Sequence, residues 1–261
     1  MSTTSQAAEV PTRLEDFRVG QRLTAHLALP GAPGTDTHVD GAALAAALAA
    51  SDLSVGRDLA AAWRYLAPVR TTDEILVETT VTACRRTPDL EQGVVTRHIR
   101  FHDDDGGLCQ EGTVTSLVPV RSAVDDEEAR TNRAFGTRAW ATALAALLDA
   151  DPAFRTETST WDGTIGIGYG EQQAQFRVYK GRVLEAGTRT VTGATFAVEA
   201  GERDWVDLLT GPANDFVRRA MMDQFAVTGN AYEYLRLQAA VVALVDRARD
   251  LAGSEGAHDA R

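Results

Sequence analysis

Apolar and polar residues alternate at a period of two along much of the first half of the chain. The clearest case is WRYLAPVRTTDEILVETTV, Trp63 to Val81. Trp63, Tyr65 and Val69 are strand formers, Pro68 interrupts them, and Thr71, Thr72 and Asp73 make a turn. Ile75, Val77, Thr79 and Val81 then alternate with Leu76, Glu78 and Thr80, which gives one packed face and one wetter face. A proline inside a strand belongs at an edge or a bulge. The stretch therefore predicts a bulged strand turning into a long partner strand. Upstream, Phe17, Val19 and Gly20 lead into an alternating strand through Leu23, Ala25, Leu27 and Leu29. Downstream, Gly93–Asp103 and Leu108–Val120 alternate on either side of a hairpin turn at Asp104–Gly107. Between these strands lies GAALAAALAASDL, Gly41 to Leu53, ended by Gly56. It is apolar on nearly every side before Ser51 and Asp52, the pattern of a buried helix. Asp40 precedes it, where a carboxylate can take orphan amide protons. The first half thus predicts one buried helix and several long antiparallel strands.

Residues 121–134 are charged and carry no apolar period, as expected of a domain boundary. The polar ends, residues 1–12 and 254–261, read as tails, the first of them disordered. In the second half Trp140, Leu144, Leu147 and Leu148 predict an amphipathic helix that stops at Asp151-Pro152. Strands are expected over Thr156–Trp161, Thr164–Tyr169, Gln173–Tyr179, Arg182–Ala186 and Thr195–Glu199. A short helix capped by Asp204, a second over Pro212–Phe225, a strand and turn at AVTGN, and a long helix from Tyr232 to Leu251 complete the chain. The last helix would pack through Leu235, Ala239, Val242 and Val245, widened by Leu237, Val241 and Leu244.

Composition narrows the partners. The 261 residues suffice for one large or two small domains, and 44% hydrophobic content supports ordinary cores. A net charge of −11 argues against nucleic acid and anionic membrane surfaces, because no basic face can be assembled. Lys180 is the only lysine, so it alone could form a Schiff base. Cys84 and Cys109 form no CxxC, so neither a structural zinc nor a required disulfide is expected. The N-terminal stretch does not read as a signal peptide and no run reads as a membrane span, so a soluble, cytoplasmic protein is expected. GTIGIGYG lacks the spacing and the following helix of a dinucleotide loop, so no cofactor is expected; its glycines could thin the sheet against a close neighbour. His98 and His102 share a strand face about 13 Å apart. That is too far for one metal ion, and with Asp103–Asp105 they read as a solvated hairpin end. No metal site is expected, and His26 receives no role.

Two stretches carry a family resemblance. LEDFRVGQRL and WRYLAPVRTTDEILVETTV resemble the entry strand and strand pair of MaoC-like hydratases and dehydratases, over residues 13–120. The second motif is shared with hot-dog thioesterases. WDGTIGIGYG, VYKGRV, DWVDLLTG and FAVTGNAYEYLRLQAAVVAL resemble, in order and spacing, the sterol-carrier-protein fold over residues 135–253. The resemblance implies an α+β chain: a hot-dog domain, in which an antiparallel sheet wraps a central helix, followed by a sterol-carrier-like domain. Such a pairing also occurs in multifunctional fatty-acid oxidation enzymes.

In MaoC-like enzymes an Asp and a His spaced D-x-x-x-x-H precede the central helix and act as the acid/base pair for hydrating an enoyl thioester. Here the matching loop is GAPGTDTHVD, and Pro33 stands five residues before His38, where the acid belongs. The resemblance then implies a rearranged pair, His38 with Asp36 or Asp40. Alternatively Asp40 or Asp52 is a thioesterase-like base, or Asp40 is only a cap and His38 only a loop residue. In the second half Trp205, Leu208, Phe216, Met221, Met222 and Phe225 would line a lipid tunnel, or form ordinary core. The implied function is binding and processing of a hydrophobic acyl thioester or polyketide-like chain, carried on coenzyme A or a carrier protein. The chemistry would be of the lyase type, with the second domain holding the apolar part. The alternatives are a non-catalytic lipid carrier or accessory protein, and a thioesterase. Hot-dog domains pair through their sheets, so a homodimer is expected.

Overall fold

The computed structural model describes residues 11–27, 29, 38–70, 74–87, 89, 91–121, 135–170 and 172–256. Asp36, the Thr71–Asp73 turn and most of the 121–134 segment lie outside the described residues. The chain divides into two compact α+β units, Met1–Asp125 and Asp126–Arg261.

The first unit holds a 3-10 turn (Leu14–Asp16), strands β1 (Arg22–Leu27), β2 (His38–Val39), β3 (Arg57–Tyr65), β4 (Val69–Arg70), β5 (Ile75–Arg86), β6 (Gln92–His102) and β7 (Leu108–Pro119), and helix α1 (Gly41–Ala49). Five of the strands form one antiparallel sheet in the order β1-β5-β6-β7-β3. Alternation along the long strands sends Ile75, Val77, Ile99, Phe101 and Val114 to one face, where they pack on Leu44 and Leu48 of α1. The opposite phase places Glu78, His98, Arg100, His102 and Glu111 on the outer face.

The Trp63–Val81 stretch does not form the expected strand pair. β3 pairs only with β7, whereas β5 lies between β1 and β6. The cause is local. After Tyr65 the amides of Leu66 and Ala67 both turn onto the Cys109 carbonyl, at 2.8 and 3.0 Å. Pro68 has no amide to continue a ladder, and Val69–Arg70 pairs instead with His38–Val39. The chain therefore crosses to the far side of the sheet before β5 begins.

Helix α1 is also shorter and less buried than its composition predicts. It stops at Ala49, and the Ser51 hydroxyl donates to the Leu48 carbonyl at 2.7 Å. Within the unit one sheet covers one side, so Leu44 and Leu48 are buried while Ala42, Ala46 and Ala49 are exposed. Gly56 enters β3 at φ +58°, and a Cβ there would sit 2.1 Å from the Leu117 carbonyl oxygen. Cys84 and Cys109 are both buried and are not joined by a disulfide.

The second unit comprises α2 (Arg138–Ala150), α3 (Pro152–Glu157), β8 (Asp162–Tyr169), β9 (Gln172–Tyr179), β10 (Arg182–Gly187), β11 (Phe196–Ala200), α4 (Glu202–Thr210), α5 (Phe216–Met221), β12 (Ala226–Gly229), α6 (Ala231–Arg236) and α7 (Gln238–Gly256). Its sheet order is β10-β9-β8-β11-β12, antiparallel except where β11 runs beside β8. Helix α7 packs against α2, α3 and α4. The glycines of β8 do lie against close neighbours: a Cβ at Gly166 would come 2.8 Å from that of Ala197.

Four expectations are corrected here. Thr156 and Glu157 end helix α3 rather than begin a strand, because Asp151 accepts from the Ala153 and Phe154 amides and Pro152 fits the first turn. Asp204 lies inside α4 and does not cap it; Gly201 holds the cap position. Helix α5 is confined to Phe216–Met221, with Pro212 outside it. The last helix is broken at Leu237 into α6 and α7. Leu235 is exposed, and the buried stripe is Leu237, Val241, Leu244, Val245 and Ala248.

Candidate functional site

The N-terminus of α1 gathers most of the polar groups of interest in the first unit. Asp40 occupies the cap position, and its Oδ1 accepts from the Ala43 amide at 2.7 Å. This carboxylate satisfies an orphan donor and sits at the positive end of the helix dipole. Two residues earlier, His38 is fixed by backbone pairing with Arg70. The short β2–β4 ladder thus sets His38 and Asp40 at the start of the same helix. Asp36 falls outside the described residues. Asp52 lies in the turn after α1, about 14 Å from Asp40 along nine residues of helix. The structure does not bring those two carboxylates together.

Two further side chains reach this region. Tyr65 ends β3, and its ring lies across Gly41: a Cβ on that glycine would come 1.7 Å from the ring. Opposite Tyr65 on β7 stands Gln110, which also faces Phe101 across β6. Gln110 is 1% exposed, and neither its amide oxygen nor its amide nitrogen has a hydrogen-bond partner among the described residues. An unpaired buried amide is rare and costly. The sequence contains a signal for it, since Gln110 is in phase with Val114, Ser116 and Val118, all on the inward side of β7.

The outer face of the sheet carries other titratable groups. His98 Nε2 lies 3.6 Å from Glu111 Oε2, and His102 Nε2 lies 3.7 Å from Glu78 Oε2. Each imidazole is only 15% exposed, so the solvated hairpin end is corrected to two His–carboxylate contacts. They cover the sheet surface away from α1. His26 is exposed, 3.3 Å from Glu74.

In the second unit the expected tunnel residues separate into two sets. Trp205, Leu208, Phe216 and Phe225 are buried. The Phe225 ring meets Trp205 edge-on at 4.9 Å and Phe216 at 5.4 Å, and the Trp205 indole donates to the Gly168 carbonyl at 2.7 Å. Met221 and Met222, by contrast, are 82% and 59% exposed. They end α5 on the surface and do not join the buried cluster. No helix among the described residues is long and apolar enough to cross a membrane.

No protein-family model and no curated protein matches the chain. Among solved structures it is similar to sterol carrier protein 2 at 21% identity and a TM-score of 0.40, over 44% of this chain and 98% of that one. It is similar to a MaoC-like dehydratase from Rhodospirillum rubrum at 21% identity and a TM-score of 0.36, over 43% of this chain and 99% of that one. An (R)-hydratase from A. caviae involved in PHA biosynthesis is similar at 19% identity and a TM-score of 0.30, over 40% of this chain and 98% of that one.

Proposed function

We propose that the first unit is a hot-dog domain that binds a hydrophobic acyl thioester at the N-terminus of α1 and hydrates or dehydrates it. The second, sterol-carrier-like unit holds the apolar part of the ligand. The observation that carries this reading is the convergence of Asp40, the α1 N-terminus, Tyr65 and the unpaired Gln110 amide at one end of the sheet's inner face.

Hydration of an enoyl thioester needs one group to take a proton from water and one to protonate the α carbon. One Asp40 oxygen is engaged by the Ala43 amide. The other is the candidate base, and His38 is the candidate acid. Charge developing on the thioester oxygen would be met by the first amides of α1 and by the Gln110 amide N–H. The carboxylate acts in both directions, taking a proton from water in hydration and returning it in dehydration.

The test is turnover of crotonyl and longer enoyl thioesters by the full chain, beside cleavage of saturated acyl thioesters. His38→Ala and Asp40→Asn should each lower hydration by about 10²-fold or more. Asparagine caps helices as well as aspartate does, so Asp40→Asn separates chemistry from folding. The carrier reading is favoured by one feature, Pro33 in place of the family's acid. It gains the field if no thioester is turned over while mass spectrometry finds lipid retained on the purified protein.

A further inference from the structure

A second polar feature lies on the inner face of the first unit, toward the opposite end of α1. Alternation along β6 puts Val95, Arg97, Ile99 and Phe101 on the side that α1 covers. Arg97 is thus a cation in an apolar row, with Val81 beside it on β5 and Val114 on β7. It is 3% exposed. Its Nη1 donates to the Leu53 carbonyl at 2.9 Å, which ties down the turn after α1, but its Nε has no hydrogen-bond partner among the described residues. No carboxylate forms an ion pair with it among the described residues. Asp58 acts on it through space, and that carboxylate already accepts the Ser116 hydroxyl at 2.7 Å. Burial outweighs Asp58 and holds the Arg97 guanidinium below its usual range.

Arg97 and Asp58 share the wall of a cavity of about 120 Å³ whose other sides include Ala45, Trp63 and Val114. An enclosed apolar cavity of roughly 150 Å³ takes a benzene-sized molecule; this pocket is partly open to solvent, so it can seat a short acid of about seven non-hydrogen atoms without enclosing all of it. A guanidinium recognises a planar carboxylate through parallel N–H donors. The geometry points to a binding site here for a short apolar monocarboxylate. Its carboxylate lies on Arg97, and its hydrocarbon body lies against Ala45, Trp63 and Val114. Asp58 sets the charge limit, since a second negative group on the ligand would meet it. This site stands apart from the one at Asp40 and does not depend on the activity proposed there.

Isothermal titration of the full chain with pentanoate, pentanamide and glutarate tests the proposal. Saturable binding of pentanoate is expected, with pentanamide and glutarate at least tenfold weaker. Ala45→Leu fills the cavity from a helix position without touching the guanidinium, and Arg97→Gln removes the charge. Each should weaken pentanoate at least tenfold in protein whose circular dichroism matches that of the natural chain. If Arg97→Gln does not fold, Ala45→Leu and the amide comparison decide. The site is refuted if no linear acid from propanoate to octanoate binds saturably. It is equally refuted if the amide binds as well as the acid, or if Ala45→Leu binds like the natural chain.

Discussion

Gln110 buries an amide with no hydrogen-bond partner among the described residues, between Tyr65 and Phe101 on neighbouring strands. Removing both its polar atoms while keeping its shape should relieve a desolvation cost of about 1 kcal/mol or more. Gln110→Met is therefore expected to melt at the same temperature as the natural chain or higher, while thioester turnover falls. A Gln110→Met protein that turns over substrate at the natural rate would remove the amide from the site. A second residue-scale prediction concerns Asp149, which takes two hydrogen bonds from Arg182 and one from the Val183 amide. The Arg182 hydrogen bond is the main reason its carboxyl lies below the usual range. A lowered folded-state value means that this stabilisation is fully present above the ordinary aspartate range, near pH ~4, and is lost as pH falls through the lowered value. Urea melts of Asp149→Asn should be displaced from those of the natural chain at neutral pH and coincide with them in strong acid. Arg97 and Gln110 were legible in part. Each occupies an inward position of a strand whose phase the apolar residues define, but which face packs is settled only by the helix laid on it.

Two elements illustrate what local pattern can and cannot decide. The α1 cap was readable because an N-cap is a contact within four residues, and Asp40 makes it to Ala43. Asp40→Ala should cost about 1 kcal/mol and Asp40→Asn close to nothing, measured by denaturant unfolding. The clasp that holds the start of the chain was not readable, since its partners lie 71 and 106 residues apart. Glu15 accepts from Arg86 at 2.9 Å and from the Arg121 amide at 3.0 Å, and the two side chains of the ion pair are 1% and 2% exposed. Arg86→Ala takes the cation from a buried carboxylate and should cost roughly 3–5 kcal/mol in the same experiment. The long strands β5, β6 and β7 were legible from alternation alone, because each has an inner and an outer face. Their neighbours were not. Period two is blind to pairing, and two amides bonding to one carbonyl at Cys109 sent the chain after Tyr65 away from its expected partner. The helical period was equally blind to the break at Leu237, where the apolar stripe runs on unbroken from α6 into α7.

At the scale of the molecule the chain divides into two units after Asp125. A charged run without apolar period, such as 121–134, is expected at a boundary because it offers nothing for either core to bury. What such a run does not reveal is the edge of the first sheet. Strand β3 has β7 on one side and no strand on the other among the described residues. Its nine residues, RDLAAAWRY, include three consecutive alanines, and Leu59 and Tyr65 are 50% and 58% exposed. Its apolar middle, Leu59–Trp63, has no proline and is a template for another strand, while Asp58 sets one inward charge near the start of the edge. The exposed alanines of α1 face away from their own sheet and offer a second apolar surface. A homodimer formed by β3 against β3 of a second copy would complete both ladders and give the domain pair expected of a hot-dog protein. Light scattering should then report twice the chain mass. A Leu59→Lys, Ala60→Lys double variant, which sets charges on that edge, should report the chain mass with unchanged circular dichroism. A natural chain that is monomeric at tens of micromolar would remove the dimer and count against the proposed hot-dog reading of this unit.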